Sequence, residues 1–161
     1  MSRLACIVTT IQPPTPSMKA MAKAIPEDAE FIVVGDSKGP SSWDLPRAEL
    51  LTLEHQLDMA HSLARMLPRG HYSRKNLGYL EAIARGADCL FETDDDNAPL
   101  ASWSPRTPQC AAAASESRDW INAYMFFTDE LTWPRGLPLQ RVRDAAPLLV
   151  TEPTLREAPI Q

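Results

Sequence analysis

The sequence predicts an α/β fold built on a doubly wound, mostly parallel sheet. Short runs of apolar and β-branched residues alternate along the chain with segments of helical apolar spacing, which is typical of strands joined by crossover helices. Three predicted strands are followed at once by polar residues, namely Thr9 and Thr10, then Asp36, then an acidic run that begins at Glu92. Because parallel strands share one carboxyl edge, where ligands bind, these polar residues are expected to lie together.

Five segments carry the features of strands. The apolar run 4–11 ends at Gln-Pro-Pro-Thr-Pro, and the run 30–36 ends in a Gly-Asp turn. A weaker strand is predicted for 49–53, and a strand over 87–95 leads into the acidic run. A further strand is predicted for 120–127. These segments supply the strands of the expected sheet.

Three helices are predicted between these strands. Ser17 offers an N-cap for the first helix, and apolar residues recur at helical spacing over 54–67 for the second. The third helix covers 73–85, with Gly86 in the C-terminal cap position. Gly78 lies inside it, at a cost of up to about 1 kcal/mol relative to Ala. We therefore expect a neighbouring element to approach this helix closely at Gly78.

Composition limits the classes of function. The chain has 161 residues, 44% of them hydrophobic, which suits one domain with its own core. A net charge of −5 argues against non-specific nucleic-acid binding, and no apolar stretch approaches the length of a membrane span. Cys6, Cys89 and Cys110 show no paired spacing, so we interpret them as reduced core thiols of a cytoplasmic protein.

The acidic run Glu92-Thr93-Asp94-Asp95-Asp96 follows an apolar strand directly. Residues two apart in a strand share a face at ~6–7 Å, where two carboxylates repel by roughly 2–3 kcal/mol at an effective dielectric of about 20. Protonation, splaying into water or a bound cation would relieve this repulsion. The Asp-x-Asp of Asp94 and Asp96 suits Mn²⁺ or Mg²⁺ shared with a diphosphate. The alternative is a solvated acidic turn.

The third predicted helix begins with two cations, Arg74 and Lys75. Cations are unfavourable at a helix N-terminus because the macrodipole is positive there. A phosphate bound at this helix end would be stabilised by both cations, and Asn76 would add further hydrogen-bonding groups. Alternatively, the two cations point into water or form ion pairs with Asp88 or Glu92.

Three polar residues at the other strand exits are candidates for contacts to a nucleoside. Thr9 and Thr10 follow the first strand and suit hydrogen bonds to a base. Asp36 follows the second strand and suits either a base or a ribose hydroxyl. The alternative for each is a turn residue that satisfies its own backbone.

In this order, the segments IVTTIQPPT, FIVVGDSKGP, HYSRKNLGYLEAIARGAD, FETDDDN and WPRGLPL resemble the STELLO-like family of glycosyltransferases, across residues 4–140. More distantly, the chain is similar to the reversibly glycosylated polypeptides and the exostosin-type transferases. All share the GT-A fold of nucleotide-diphospho-sugar transferases. The resemblance implies a metal-dependent glycosyltransferase whose donor is a nucleoside-diphosphate sugar, with UDP-sugar expected. The implied cofactor is Mn²⁺ or Mg²⁺, and the acceptor is a glycan, protein or small molecule that the sequence does not name.

The resemblance also implies roles for individual residues. Asp94 and Asp96 would be the metal ligands, with Asp96 the more direct ligand and Asp94 nearer the ribose. The contacts to the nucleotide sugar would come from Thr9, Thr10, Asp36, Arg74, Lys75, Asn76, Asp94 and Asp95.

The last third of the chain shows little periodicity and holds many of the 15 prolines. We assign 1–132 to a nucleotide-sugar-binding domain and 133–161 to a Pro-rich segment that wraps it or belongs to a truncated acceptor part. No catalytic role is assigned to the acids available after the acidic run, Glu116, Asp119, Asp129 and Glu130.

Other functions and assembly states stay open. The chain could be a non-catalytic module that assists another enzyme, or a nucleotidyltransferase on a related fold. Against the nucleotidyltransferase, a Pro-rich segment follows the first strand where a Gly-rich phosphate loop would be expected. A homo-oligomer and a complex with a partner chain are both compatible with the sequence.

Overall fold

The chain forms two compact units, Met1–Pro105 and Arg106–Gln161. The predicted functional boundary after residue 132 stays a prediction. The computed structural model describes residues 3–40, 42–106, 109–115, 120–142 and 151–157.

The first unit is built on a four-stranded parallel sheet. Its strands are β1 (Leu4–Thr9), β2 (Glu30–Val34), β3 (Glu49–Leu51) and β4 (Cys89–Glu92). They lie in the order β3-β2-β1-β4, and each neighbouring pair is parallel. The strand order therefore reverses between β1 and β4, and ligands bind beyond the carboxyl ends of strands at such a point.

Helices cover both faces of this sheet, which confirms the predicted α/β, doubly wound class. The helices are α1 (Pro16–Ala24), α2 (Leu53–Asp58), α3 (Leu63–Met66) and α4 (Lys75–Ala84). A 3₁₀ turn, Tyr72–Arg74, leads directly into α4. Among the described residues, no helix combines the length and the apolar composition needed to cross a membrane.

Alternate residues of the strands fill two cores, one on each face of the sheet. Cys6 and Val8 of β1 pack in one cluster with Met18 of α1, whereas Ile7 packs in the other with Ala82 of α4. Burial raises the pKa of the Cys6 thiol to about 12, so this thiol is a neutral core group. Cys89 is partly buried and all three cysteines are free, but Cys110 is exposed, so the prediction of a core thiol is wrong for Cys110.

Gly78 lets α4 lie directly on the sheet, as predicted. A Cβ added at Gly78 would come within 2.7 Å of Val34 Cγ2 and 2.8 Å of Ile7 Cγ2. Such distances are well inside van der Waals contact, so only the absence of a side chain permits this approach. Gly86 has a φ of +88° and its N–H bonds the carbonyl of Ile83, which confirms the predicted C-terminal cap.

Two helix predictions were wrong in detail. Thr15, and not Ser17, caps α1, because its hydroxyl accepts the Met18 N–H at 3.1 Å. The single helix predicted over 54–67 is divided into α2 and α3. The first of these helices ends where Met59 adopts an extended backbone, and Gln56 of α2 donates hydrogen bonds to the backbone of β3 and of the β2 exit.

The second unit contains a two-stranded antiparallel sheet formed by β5 (Gln109–Ala112) and β6 (Thr154–Glu157). The strand predicted over 120–127 is wrong, because Ala123–Phe126 is a 3₁₀ turn. Asn122 stabilises that turn, since its side chain accepts the Tyr124 N–H at 3.1 Å and donates to the Thr132 carbonyl at 2.7 Å.

Strand β6 lies within the segment predicted to be Pro-rich and wrapping. Its four residues do not alternate between apolar and polar, which is the pattern that would have indicated a strand. Two of the unassigned acids, Glu116 and Asp119, lie outside the described residues.

Candidate functional site

The acidic run forms a turn that is tied to the start of α1 at the reversal of strand order. Thr10, directly after β1, donates its hydroxyl proton to Asp95 Oδ2 at 2.5 Å. The Thr15 hydroxyl donates to the Asp95 carbonyl, and the Ser17 hydroxyl donates to the Asp96 carbonyl at 3.0 Å. The bond from Thr10 joins the exits of β1 and β4, and the bonds from Thr15 and Ser17 join the acidic turn to the start of α1.

A cavity of about 320 Å³ opens next to this turn, at the carboxyl ends of β1 and β2. Its walls are residues 9–11, 34–38, 70–72, Arg74 and Asp95. The structure therefore brings five of the predicted site residues to one cavity, namely Thr9, Thr10, Asp36, Arg74 and Asp95. The other predicted residues, Lys75, Asn76, Asp94 and Asp96, lie outside these walls.

Asp36 connects two walls of the cavity through hydrogen bonds to its carboxylate. Its carboxylate accepts the N–H groups of Ser37 at 2.6 Å, Gly70 at 2.8 Å and His71 at 3.1 Å. Burial raises the pKa of Asp36, but these backbone donors outweigh burial and hold the pKa below its usual range. Because three backbone donors already bind this carboxylate, its predicted contact with a base or ribose stays a prediction.

Arg74 lines the cavity, but its guanidinium is only 1% exposed and hydrogen-bonds internal acceptors. Nε donates to Gln56 Oε1 at 2.7 Å, and Nη1 donates to the Leu67 carbonyl at 3.1 Å. Burial lowers the pKa of Arg74. The ordinary pKa of an arginine is so high that the guanidinium nevertheless stays charged. This network joins α2 to the end of α3, and phosphate binding by Arg74 stays a prediction.

Lys75 supplies a positive charge to the acidic run from inside the protein. Its side chain is 1% exposed. Nζ donates to the Tyr72 hydroxyl at 3.0 Å, Glu92 Oε1 at 2.9 Å, the Thr93 carbonyl at 3.1 Å and Asp94 Oδ1 at 3.2 Å. Burial lowers the pKa of Lys75, but these oxygen partners outweigh it and raise the pKa. The ion pair with Glu92, one of the alternatives left open by the sequence, is thus present.

Tyr72 and Glu92 complete this network at the start of α4. The Tyr72 hydroxyl donates to Glu92 Oε1 at 2.5 Å, and the Lys75 ammonium also lies 4.7 Å from the Tyr72 ring centroid. The hydrogen bond from Tyr72, followed by bonds from Tyr79 and Lys75, lowers the pKa of Glu92 to about 2. Glu92 is therefore a fixed negative charge near neutral pH.

Asn76 has a local structural role. Its Nδ2 donates to the Ser73 carbonyl at 2.8 Å, within the first turn of the helical segment. The side chain is exposed at the helix start and lies outside the cavity walls. Its predicted contact with the nucleotide sugar stays a prediction.

The two predicted metal ligands lie in an exposed turn. The Asn97 N–H bonds the Asp94 carbonyl at 3.3 Å, which closes the turn around Asp95 and Asp96. Within the described ranges, no group of three or more His, Cys, Asp or Glu side chains is gathered to hold a metal ion. Magnesium is usually held by one or two carboxylates together with substrate phosphates. The carboxylates of Asp94 and Asp96 fit that kind of shared site, and not an all-protein cage.

Sequence reasoning missed the contributions of Lys38 and Gly70 to the cavity walls. Lys38 was detectable in principle, because it lies two residues after Asp36 at the same strand exit. His71 also lines the cavity. Its Nδ1 accepts the Ser73 N–H at 3.0 Å, which places the proton of the neutral ring on Nε2.

Comparison with known proteins finds two relatives from Arabidopsis thaliana. "Probable glycosyltransferase STELLO2" is 29% identical over 150 residues, and "Probable glycosyltransferase STELLO1" is 26% identical over 158 residues. Each match covers 84% of this chain and 19% of the relative. No protein-family model matches the chain. The similarity to these two proteins confirms the resemblance to the STELLO-like proteins that the sequence motifs predict.

Proposed function

We propose that this chain binds the nucleotide of a nucleoside-diphosphate sugar, with UDP-sugar as the expected donor, in a metal-dependent glycosyltransferase. The hydrogen bond between Thr10 and Asp95 is the observation that supports this most directly. It joins a wall of the cavity to the acidic turn, so a ligand in the cavity could extend to that turn. The names of the two similar proteins support glycosyl transfer as the class of reaction.

The proposal assigns different parts of the ligand to the two regions. The nucleoside would occupy the cavity, with Thr9 and Thr10 as hydrogen-bonding partners, and the diphosphate would begin within the cavity and extend toward the acidic turn. Asp94 and Asp96 would hold the divalent cation, which supplies Lewis-acid stabilisation of the departing diphosphate. Lys75 would keep Asp94 in position, because its ammonium binds one oxygen of that carboxylate.

The charges of the acidic run favour metal dependence. The run carries four carboxylates, and the buried ammonium of Lys75 contacts two of them. A diphosphate approaching this turn would be repelled by the remaining negative charge. A divalent cation between the turn and the diphosphate would remove that repulsion, and hard cations prefer these oxygen ligands.

Titration calorimetry with UDP, in the presence and absence of Mn²⁺, tests this proposal. We expect UDP to bind only with Mn²⁺ present, and Asp96→Asn to abolish this Mn²⁺-dependent binding of UDP without unfolding the chain. Asp58→Asn changes an exposed acid of α2 and serves as the control. The proposal would be wrong if wild-type protein showed no metal-dependent binding at millimolar UDP.

A non-catalytic role as a nucleotide-sugar module is the second candidate. It is favoured by the short matched stretch, because the 19% of each relative that is covered need not include everything that transfer requires. Both candidates predict nucleotide binding, but only the enzyme releases UDP from a UDP-sugar. A coupled assay for released UDP, with glycan, peptide and water as acceptors, separates them.

A further inference from the structure

We propose that Lys38 is the residue that contacts the diphosphate of the bound nucleotide, an inference that rests on the proposed function. Two cationic residues, Lys38 and Arg74, line the described walls of the cavity. Arg74 is buried and bonded to internal acceptors, whereas the Lys38 side chain is exposed. Lys38 is thus the cavity cation that can turn toward a ligand.

The neighbouring cations that the sequence suggested are engaged elsewhere. Lys75 lies outside the cavity walls, and its ammonium is surrounded by oxygen atoms of Tyr72, Glu92, Thr93 and Asp94. Turning Lys75 toward a phosphate would leave two acids without this partner. Lys38 makes no hydrogen bond or ion pair to another described residue, so it can bind a phosphate without breaking an internal contact.

The backbone around Lys38 is held in a defined turn. The Gly39 N–H bonds the Asp36 carbonyl at 2.7 Å, and the Ser37 N–H bonds the Asp36 carboxylate at 2.6 Å. A Cβ at Gly39 would come within 2.9 Å of the Asp36 carbonyl oxygen, so this tight turn requires glycine. Lys38 therefore projects from a fixed part of the chain, although its own side chain is free to move.

The Asp36 carboxylate also connects the turn that carries Lys38 to the opposite wall of the cavity. Asp36 also accepts the N–H groups of Gly70 and His71. The turn that carries Lys38 and the loop before α4 are therefore joined before any ligand binds, which lowers the cost of ordering the site. In this arrangement Asp36 is a positioning residue, and Lys38 supplies a point charge of the kind that binds phosphate.

Affinities for UDP and for uridine distinguish a phosphate contact from a structural effect. In calorimetric titrations with Mn²⁺ present, we expect Lys38→Met to weaken UDP binding roughly 10-fold, which is the scale of one charge-assisted hydrogen bond. Uridine, which lacks phosphate, should bind both proteins equally. Lys38→Arg should restore most of the UDP affinity, and Lys23→Met, an exposed lysine of α1, serves as the charge-matched control.

The remaining outcomes would contradict the role of Lys38 alone, or the proposed function together with it. Equal UDP affinity in wild type and Lys38→Met, or an equal loss for UDP and uridine, would overturn the role of Lys38 while leaving nucleotide binding intact. A wild-type chain that binds uridine and not UDP would overturn it as well. A wild-type chain that binds neither would overturn the proposed function, and the role of Lys38 with it.

Discussion

A buried ammonium group stabilises the acidic turn at the scale of single residues. Lys75 reaches Glu92 and Asp94 from the first turn of α4, and those two carboxylates would otherwise face each other without a counter-charge. Both acids are about half exposed, so solvent screens part of their interaction with Lys75. The hydrogen bonds of the buried ammonium, more than the long-range attraction, are therefore the main stabilising contribution.

Replacement of Lys75 by methionine should lower stability. We expect Lys75→Met to reduce the free energy of unfolding by about 2 kcal/mol, the scale of hydrogen bonds to a charged group. Urea denaturation measures this change, and Lys23→Met should stay within about 0.5 kcal/mol of wild type as an exposed control. Unchanged stability of Lys75→Met would mean that the ammonium does not hold the turn.

Single-residue chemistry was only partly predictable from the sequence. Thr10 and Asp95 could be assigned to one edge, because both follow strands of a parallel sheet. The internal partners of Asp36 and Arg74 could not be predicted, since the path of the loops decides which backbone groups meet a carboxylate or a guanidinium. The ion pair of Lys75 with Glu92 was among the alternatives that the sequence left open. Residues that a sequence suggests as ligand contacts can therefore form hydrogen bonds with other residues of the protein instead.

At the scale of elements, the position of α4 decides the geometry of the site. This helix carries Lys75 at its start and touches the sheet through Gly78, whose Cα faces Val34 and Ile7. The approach was predictable because a glycine inside a helix otherwise lowers stability. The division between α2 and α3 was not predictable, because apolar residues recur at helical spacing on both sides of Met59, where the backbone is extended.

A methyl group at position 78 should push α4 away from the sheet. We expect Gly78→Ala to lower the free energy of unfolding by about 1–3 kcal/mol through overpacking, despite the better helix propensity of Ala. Thermal unfolding followed by circular dichroism measures the loss. Ala84→Ser adds an atom at an exposed position of the same helix and should have little effect. A higher melting temperature for Gly78→Ala would contradict the close packing at this position.

At the scale of the whole molecule, the described part of the first unit carries different charged groups at the two edges of its sheet. The amino edge carries an ion-pair network centred on Arg85, and the carboxyl edge carries the cavity and the acidic turn. Arg85 contacts Glu49 at 2.6 Å, Glu81 at 2.9 Å and Glu30 at 3.4 Å. Ion pairs are therefore present at both edges, around Arg85 at the amino edge and around Lys75 at the carboxyl edge.

Stability should fall in acid partly through Glu49. A hydrogen bond from Arg85 lowers the pKa of Glu49 below its ordinary value of 4.5, although burial opposes this. The stabilisation is therefore complete above pH 4.5 and is lost as the pH falls through the lower folded value. Because Glu49 is partly exposed, we expect less than about 1 kcal/mol.

Urea denaturation between pH 7 and pH 3 checks this contribution. Glu49→Gln should show a flatter dependence of unfolding free energy on pH in the acid range, whereas Glu54→Gln, an exposed control in α2, should follow wild type. An identical pH dependence for Glu49→Gln and wild type would contradict the ion-pair contribution.

The central claim is that the cavity and the acidic turn bind one nucleotide together through a shared cation. A crystal structure of the chain soaked with UDP and Mn²⁺ tests it most directly, because manganese is identified by its anomalous scattering. We predict uridine in the cavity and manganese bonded to the Asp96 carboxylate and to the diphosphate, with metal–oxygen distances of about 2.1–2.3 Å. Uridine bound elsewhere, or an acidic turn surrounded only by water at saturating UDP and Mn²⁺, would contradict the claim.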